Sequence, residues 1–200
     1  GGSETTVLGP PHRLVEAPPR IEAPMTLTVA ADRSTVTLAT CGQRHVLRAG
    51  EWTPYVHLVF PFNPLVKAHG QVRFKLLSID PEVRLYLAPL NFDPRHTLPG
   101  FDLSAPRSWA GELFDSVGPY KTVGWAVDTW TPTEKMVDEE TFMEDLRQTV
   151  EEHRRILDAA LASGDRLVVH YFEYTDRVGH LLWRGLDERH PAHRSDTAPK

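Results

Sequence analysis

The run RLVVHYFE, residues 166–173, limits the fold of this chain more than any other stretch. It is almost continuous in apolar and β-forming residues, so it leaves no face for water. Such a run predicts a strand buried on both sides, as in a parallel sheet covered by helices. The segment before it, DEETFMEDLRQTVEEHRRILDAALASG, gives the strongest helix signal in the chain. Asp138 stands where a cap belongs, and Glu139 and Glu140 where the helix dipole favours negative charge. Phe142, Leu146, Val150, His153, Leu157 and Leu161 recur at three or four positions and predict the buried face. Gly164 marks the stop. A further helix is expected over 178–189, ended by Pro191. Helix, buried strand, loop and helix make half of an α/β layer.

The first half of the chain is patterned differently. Residues 1–24 carry the pairs Pro10-Pro11 and Pro18-Pro19. Proline fixes φ and lacks an N–H, which predicts an extended segment that is neither helix nor central strand. From Met25 short alternating runs follow one another: 27–29 and 36–38 around the turn-like Ala31-Asp32-Arg33-Ser34, then a second turn at Cys41-Gly42-Gln43 into HVLRAG. YVHLVF (55–60), QVRFKLLSI (71–79) and RLYLAPL (84–90) continue the series. Six short strands joined by Gly, Pro and Asp turns predict an antiparallel sheet. A short helix is expected over 107–117, with Gly118 as its stop. The fold class is therefore α/β: an extended segment (1–24), a β-rich accessory region (25–100), an α/β core segment (101–191) and a polar tail (192–200).

Charge and composition exclude several functions. The formal charge of −5 and a pI near 6.1, with basic residues scattered, give no electrostatic case for nucleic acid. No apolar run approaches the roughly 18 residues that would span a bilayer. Cys41 is the single cysteine, which excludes an internal disulfide and a thiolate metal cluster, and beside Gly42 it reads as a small turn residue. The opening GGSETT shows no basic region leading into an apolar core, so no signal peptide is expected in this stretch. The chain opens without methionine, and a piece of a longer protein is expected.

The chemistry-bearing motif follows the apolar run. In open α/β sheets, ligands gather beyond the carboxyl ends of the strands. Asp176 falls there, and His180 is one helical turn further on. Residues four apart share a helix face, so a carboxylate and an imidazole can reach one ion. Gly179 leaves room for close approach. Oxygen with nitrogen suits zinc and manganese. The plainer reading makes Asp176 a helix cap beside an ordinary surface histidine.

The stretch FEYTDRVGHLLWRGLDERHP resembles the metal-binding strand and loop of the alkaline phosphatase superfamily, in particular its type I phosphodiesterase/nucleotide pyrophosphatase branch. A bacterial group of that branch continues through an aromatic-Arg pair, an acid and a His-Pro, matched here by Trp183-Arg184, Asp187 and His190-Pro191. GEWTPYVHLVF, FKLLSIDPEVRLYLAPLNFDP and GPYKTVGWAVDTW are similar to the same group, so the resemblance covers most of residues 50–191. It implies a partial alkaline-phosphatase-like parallel-sheet core with an antiparallel β-rich insertion that covers the active site and selects the substrate. It also implies Asp176 and His180 as two ligands of one zinc. The family's site holds two metals around a Ser or Thr nucleophile, and the implied substrate is a small phosphodiester or nucleotide. The nucleophile and an early metal-binding Asp lie upstream in the family; an Asp-His pair and a last His lie downstream. No Asp is followed directly by His here, and with the nucleophile expected outside the segment no catalytic residue is assigned within it. Two cations about 3.5–4 Å apart can stabilise both the attacking and the leaving oxygen of a phosphodiester.

Other candidates carry two readings each. His190 and His193 are ligands or a helix end. Arg184 meets phosphate or pairs with Asp187 or Glu188 on the helix surface. Glu173 and Asp176 form an acid/base pair, or Glu173 points away. His170 is a ligand or a hydrogen-bonded core histidine. Trp52, Trp109, Trp125 and Trp130 line a pocket or fill a core. The pair Asp128-Thr129 has no assigned role. Two rival functions stand beside the hydrolase: a substrate-binding or interaction module without catalysis, and a sulfatase or phosphomutase relative.

Overall fold

The computed structural model of the chain describes residues 2–11, 20–63, 65–98, 100–123 and 127–193. Two compact units divide it, Gly1–Gly111 and Glu112–Lys200.

The first unit is built from antiparallel strands. β1 (Gly2–Pro11), β2 (Arg20–Val29), β3 (Val36–Thr40) and β4 (Gln43–Leu47) form one sheet in that order. The expected break at residue 25 is absent: β2 starts at Arg20 and pairs with β1 on one side and β3 on the other. Pro24 is tolerated because the β3 pairing begins only at Met25↔Thr40, and the carbonyl of Pro24 accepts from Thr40 Oγ1 at 2.8 Å. Both expected turns close hairpins. Thr40 faces Gln43 across a two-residue loop in which Cys41 and Gly42 have φ of 46° and 76°. Positive φ at both positions matches the right-handed twist of the flanking strands.

β5 (Val56–Pro61), β6 (Lys67–Val72) and β9 (Asn91–Phe92) make a second sheet, and β7 (Phe74–Ser78) pairs with β8 (Arg84–Leu87). The single strand expected over 71–79 is thus two strands that change partners at Arg73. Before it, Val72 faces Val56; after it, Phe74 faces Leu87 and also exchanges hydrogen bonds with Thr53. Arg73 fits the bend by lying 4.5 Å over the Trp52 ring. Along β5 the pleat alternates: Val56, Leu58 and Phe60 are buried, with His57 and Val59 on the other face.

The second unit is helical, and the boundary falls within its first helix. α1 (Trp109–Val117) ends at Gly118, whose φ of +80° is the left-handed stop expected of it. α2 (Trp130–Thr133) is one turn. α3 (Glu139–Ala162) starts where Asp138 accepts from the Thr141 N–H at 2.8 Å and stops before Gly164. Its buried face departs from the apolar stripe. Phe142 and Leu146 are buried against Val127, Leu181 and Leu182, but Leu161 is 62% exposed. Thr141, Asp145, Thr149 and Glu152 are buried instead. The reason is Lys121, whose Nζ donates to Asp145 at 2.6 Å and to Thr149 at 2.7 Å, while its N–H donates to Glu152. The buried cation turns Asp145 and Thr149 inward, and the backbone N–H beside it does the same for Glu152.

The strand expected over 166–173 is not formed. These residues belong to no helix or strand, and Leu167, Val169 and Tyr171 are 78, 85 and 74% exposed. The apolar run asks for cover that the described residues do not supply. The ladders between the strands named above are all antiparallel. The fold is α/β only in the broad sense of mixing helices with sheets. α4 (Tyr174–Leu186) follows directly, four residues earlier than expected, and ends well before Pro191.

Candidate functional site

Asp176 sits in the first turn of α4, inside the helix rather than in a loop beyond a strand tip. His180 follows four residues on, and the helical period brings its Nε2 to 3.4 Å from Asp176 Oδ1. Both side chains are well exposed. They border an open groove of about 360 Å³ with Gly179, Trp183 and His190. A Cβ on Gly179 would meet nothing within 4 Å, so the approach to the pair is unobstructed.

The neighbouring candidates resolve into ordinary contacts. His190 uses Nδ1 to accept the Ala192 N–H at 3.1 Å, which places its proton on Nε2 and makes it a turn residue. His193 donates from Nδ1 to the Arg184 carbonyl at 2.9 Å. Arg184 pairs with Glu139 of α3 at 3.1 Å rather than with Asp187, which is taken by Arg189, or Glu188. Glu173 pairs with Arg177 one turn on, away from Asp176. His170 shares a 3.1 Å hydrogen bond with His153 and packs on Phe172. Asp128, one residue before the Thr129 N-cap of α2, accepts the N–H groups of Trp130 and Thr131 and the Thr131 hydroxyl. Trp52 packs on Tyr86 and Arg73, Trp109 and Trp130 are exposed, and Trp125 lies outside the described residues.

No family model matches the chain, and neither do the curated proteins nor the solved structures. The site must be judged on its own geometry.

On that basis a second cluster, in the β-rich unit, is the better organised of the two. His57 on β5 and His69 on β6 lie on the sheet face opposite the apolar core. His57 faces Gln71 and Val59 faces His69, so the two histidines are diagonal neighbours. Their rings meet with His57 Nε2 and His69 Nδ1 3.1 Å apart. Gln43 fixes the strand beneath: its amide nitrogen donates to the His57 carbonyl at 2.6 Å, and its amide oxygen accepts the His57 N–H. The third imidazole, His96, comes from the turn after β9. There the Asp93 N–H donates to the His69 carbonyl and the His96 N–H to the Asp93 carbonyl, each at 3.0 Å. His96 stacks on His69 with ring centroids 4.5 Å apart.

Asp93 lies beneath the three rings and is 1% exposed. Arg95 grips its two oxygens from Nε and Nη2 at 3.1 and 3.0 Å, and the Arg95 N–H adds a third bond. The same carboxylate lies 3.2 Å from His96 Nδ1 and 3.5 Å from His57 Nε2. Burial works to raise its pKa, but the hydrogen bonds from Arg95 and His96 outweigh that and hold it at about 2. Burial pushes His57 below the usual imidazole range, against the pull of Asp93. Burial does the same to His69, and the neighbouring imidazoles of His96 and His57 add to it.

Little in the sequence marks this cluster. The only local signal is a histidine at an outward position in each of two alternating runs, with an Asp-Pro-Arg-His turn further on. Nothing in one dimension joins them.

Proposed function

We propose that the chain is part of a metal-dependent phosphohydrolase of the phosphodiesterase/nucleotide pyrophosphatase type. Asp176 and His180 supply two ligands of one divalent metal, zinc by preference, and a Ser or Thr nucleophile lies outside the segment. In that reading residues 166–173 become a buried strand of a parallel sheet completed by chain beyond the segment, and the antiparallel unit is its insertion. The supporting observation is the 3.4 Å separation of carboxylate and imidazole on one helix face, bordering an open groove. A catalytic zinc site needs about three protein ligands and an open position, and this pair provides two. The bound metal would act as a Lewis acid on the phosphoryl oxygens and lower the pKa of the nucleophile. Asp176 would present its oxygen beside the His180 ring, and Gly179 would leave the substrate room.

Alone, the 200-residue chain is expected to turn over no nitrophenyl phosphodiester, and zinc-dependent hydrolysis by it would overturn the assignment of the nucleophile. In the longer protein, the double substitution Asp176→Ala with His180→Ala is expected to lower kcat/KM for such a diester by at least about 100-fold. Unchanged turnover would refute the ligand assignment.

One observation favours the alternative, a binding module without catalysis. An apolar pocket of about 270 Å³ in the β-rich unit is walled by Leu8, Phe60, Leu90 and Phe92, with His69 and Asn91 as its polar groups. Apolar walls with few polar groups suit a small ligand. Gly70→Val would crowd that wall, since even a Cβ there would approach Leu90 to 3.0 Å. Loss of ligand binding in that variant, with diester turnover absent in the longer protein, would favour the module.

A further inference from the structure

We propose that His57, His69 and His96 form a divalent transition-metal site in the β-rich unit, separate from the α4 pair, with Asp93 as the carboxylate that orients it. One ring nitrogen from each histidine lies within 4.8 Å of the other two. Zinc–nitrogen bonds of about 2.0–2.1 Å in a tetrahedron put ligand nitrogens about 3.3 Å apart. The His57–His69 pair, at 3.1 Å, is already near that separation. His96 needs to close the remaining distance, and it is the group free to do so: its side chain is 51% exposed on a turn, whereas the other two stand on paired strands.

The supporting layer is also in place. Metal-bound histidines usually give their second nitrogen to a carboxylate or carbonyl, which fixes the tautomer and the ring plane. Asp93 Oδ2 faces His96 Nδ1 at 3.2 Å, which leaves His96 Nε2 as the lone-pair donor. Asp93 cannot swing out to act as an ordinary surface ligand, because Arg95 occupies both of its oxygens and the backbone N–H of Arg95 holds one of them. Its role is to orient. Without a metal, one proton shared between His57 and His69 satisfies two inward lone pairs. With a metal, those lone pairs become ligands.

The donor set selects the metal. Three imidazoles without thiolate suit zinc, copper or nickel rather than magnesium or calcium, which demand oxygen. Three protein ligands leave a fourth position for water or a small anion, and the exposed His96 side of the cluster opens it to solvent.

The test uses the whole chain, stripped with a chelator and titrated with zinc chloride against a chromogenic chelator. One equivalent is expected to bind through this cluster. His96→Gln is expected to weaken it by at least about 100-fold, as is the pair His57→Gln with His69→Gln. Asp93→Asn, as a positioning change, is expected to cost about 10–100-fold while keeping the stoichiometry. Asp176→Ala with His180→Ala is expected to leave this equivalent unchanged, so failure of the phosphohydrolase reading and failure of this one are distinguishable. Cobalt(II) in place of zinc is expected to give the intense visible bands of tetrahedral coordination, which His96→Gln removes. Because His96 is an exposed turn residue, its variant is expected to keep the wild-type circular dichroism, and zinc affinity unchanged in that folded variant would overturn the proposal. Absence of any bound equivalent in the wild type would overturn it as well.

Discussion

The two histidine–carboxylate groupings differ in what holds the acid. Asp93 is 1% exposed and fixed by Arg95 before any histidine reaches it. Asp176 has a side chain 57% exposed and faces His180 across 3.4 Å of an open helix surface. A buried acid with a charged partner is costly to disturb and keeps its geometry, whereas an exposed pair exchanges freely with water. Preorganisation therefore sits in the β-rich unit, and accessibility sits on α4.

Breaking the comparison should have its largest effect at Asp93. Asp93→Ala removes a buried carboxylate that accepts three hydrogen bonds from Arg95 and is expected to destabilise the β-rich unit by about 2–3 kcal/mol. Urea denaturation followed by tryptophan fluorescence, in a variant that keeps Trp52 and has Phe at the other four tryptophans, would measure it. Loss well below 1 kcal/mol would mean that the anchor contributes little. A smaller effect is expected from pH in the helical unit, through His153. Burial, with His170 next, lowers its pKa from the usual 6.5. The unfolded chain then binds the proton more tightly than the folded one. Stability is fully present above about pH 6.5 and falls as pH drops towards the folded-state value. Urea midpoints of the helical circular dichroism signal should fall on acidification, and His153→Phe should flatten that slope. The smallest effect is expected at Asp176. Asp176→Ala should change the stability of the helical unit by less than about 0.5 kcal/mol, as surface substitutions do. A larger loss in thermal denaturation would show that the residue serves the helix rather than a ligand.

Local features of this fold are legible in the sequence because they are set by neighbours in the chain. Cys41-Gly42 closes a hairpin, Asp138 caps α3, and Gly118 and Gly164 stop helices where they stand. The Asp176–His180 proximity follows from the helical period alone. Features set across the chain are not legible. The inward turn of Asp145, Thr149 and Glu152 depends on Lys121, which lies 24 residues from Asp145. The partner change at Arg73 depends on Trp52 and Thr53. The three imidazoles meet only through the register of β5 on β6 and the turn behind β9, the first two being 12 positions apart in the chain. The apolar run at 166–173 misled for a different reason: its composition reports a need for cover, not whether cover is at hand.

That uncovered tract has a practical meaning for anyone handling the protein. Leucine, valine and tyrosine face water along residues 167–171, and no strand flanks them among the described residues. Such an apolar patch is adhesive. As concentration rises, copies should join through these apolar side chains, so light scattering will report this surface before any assay of activity does.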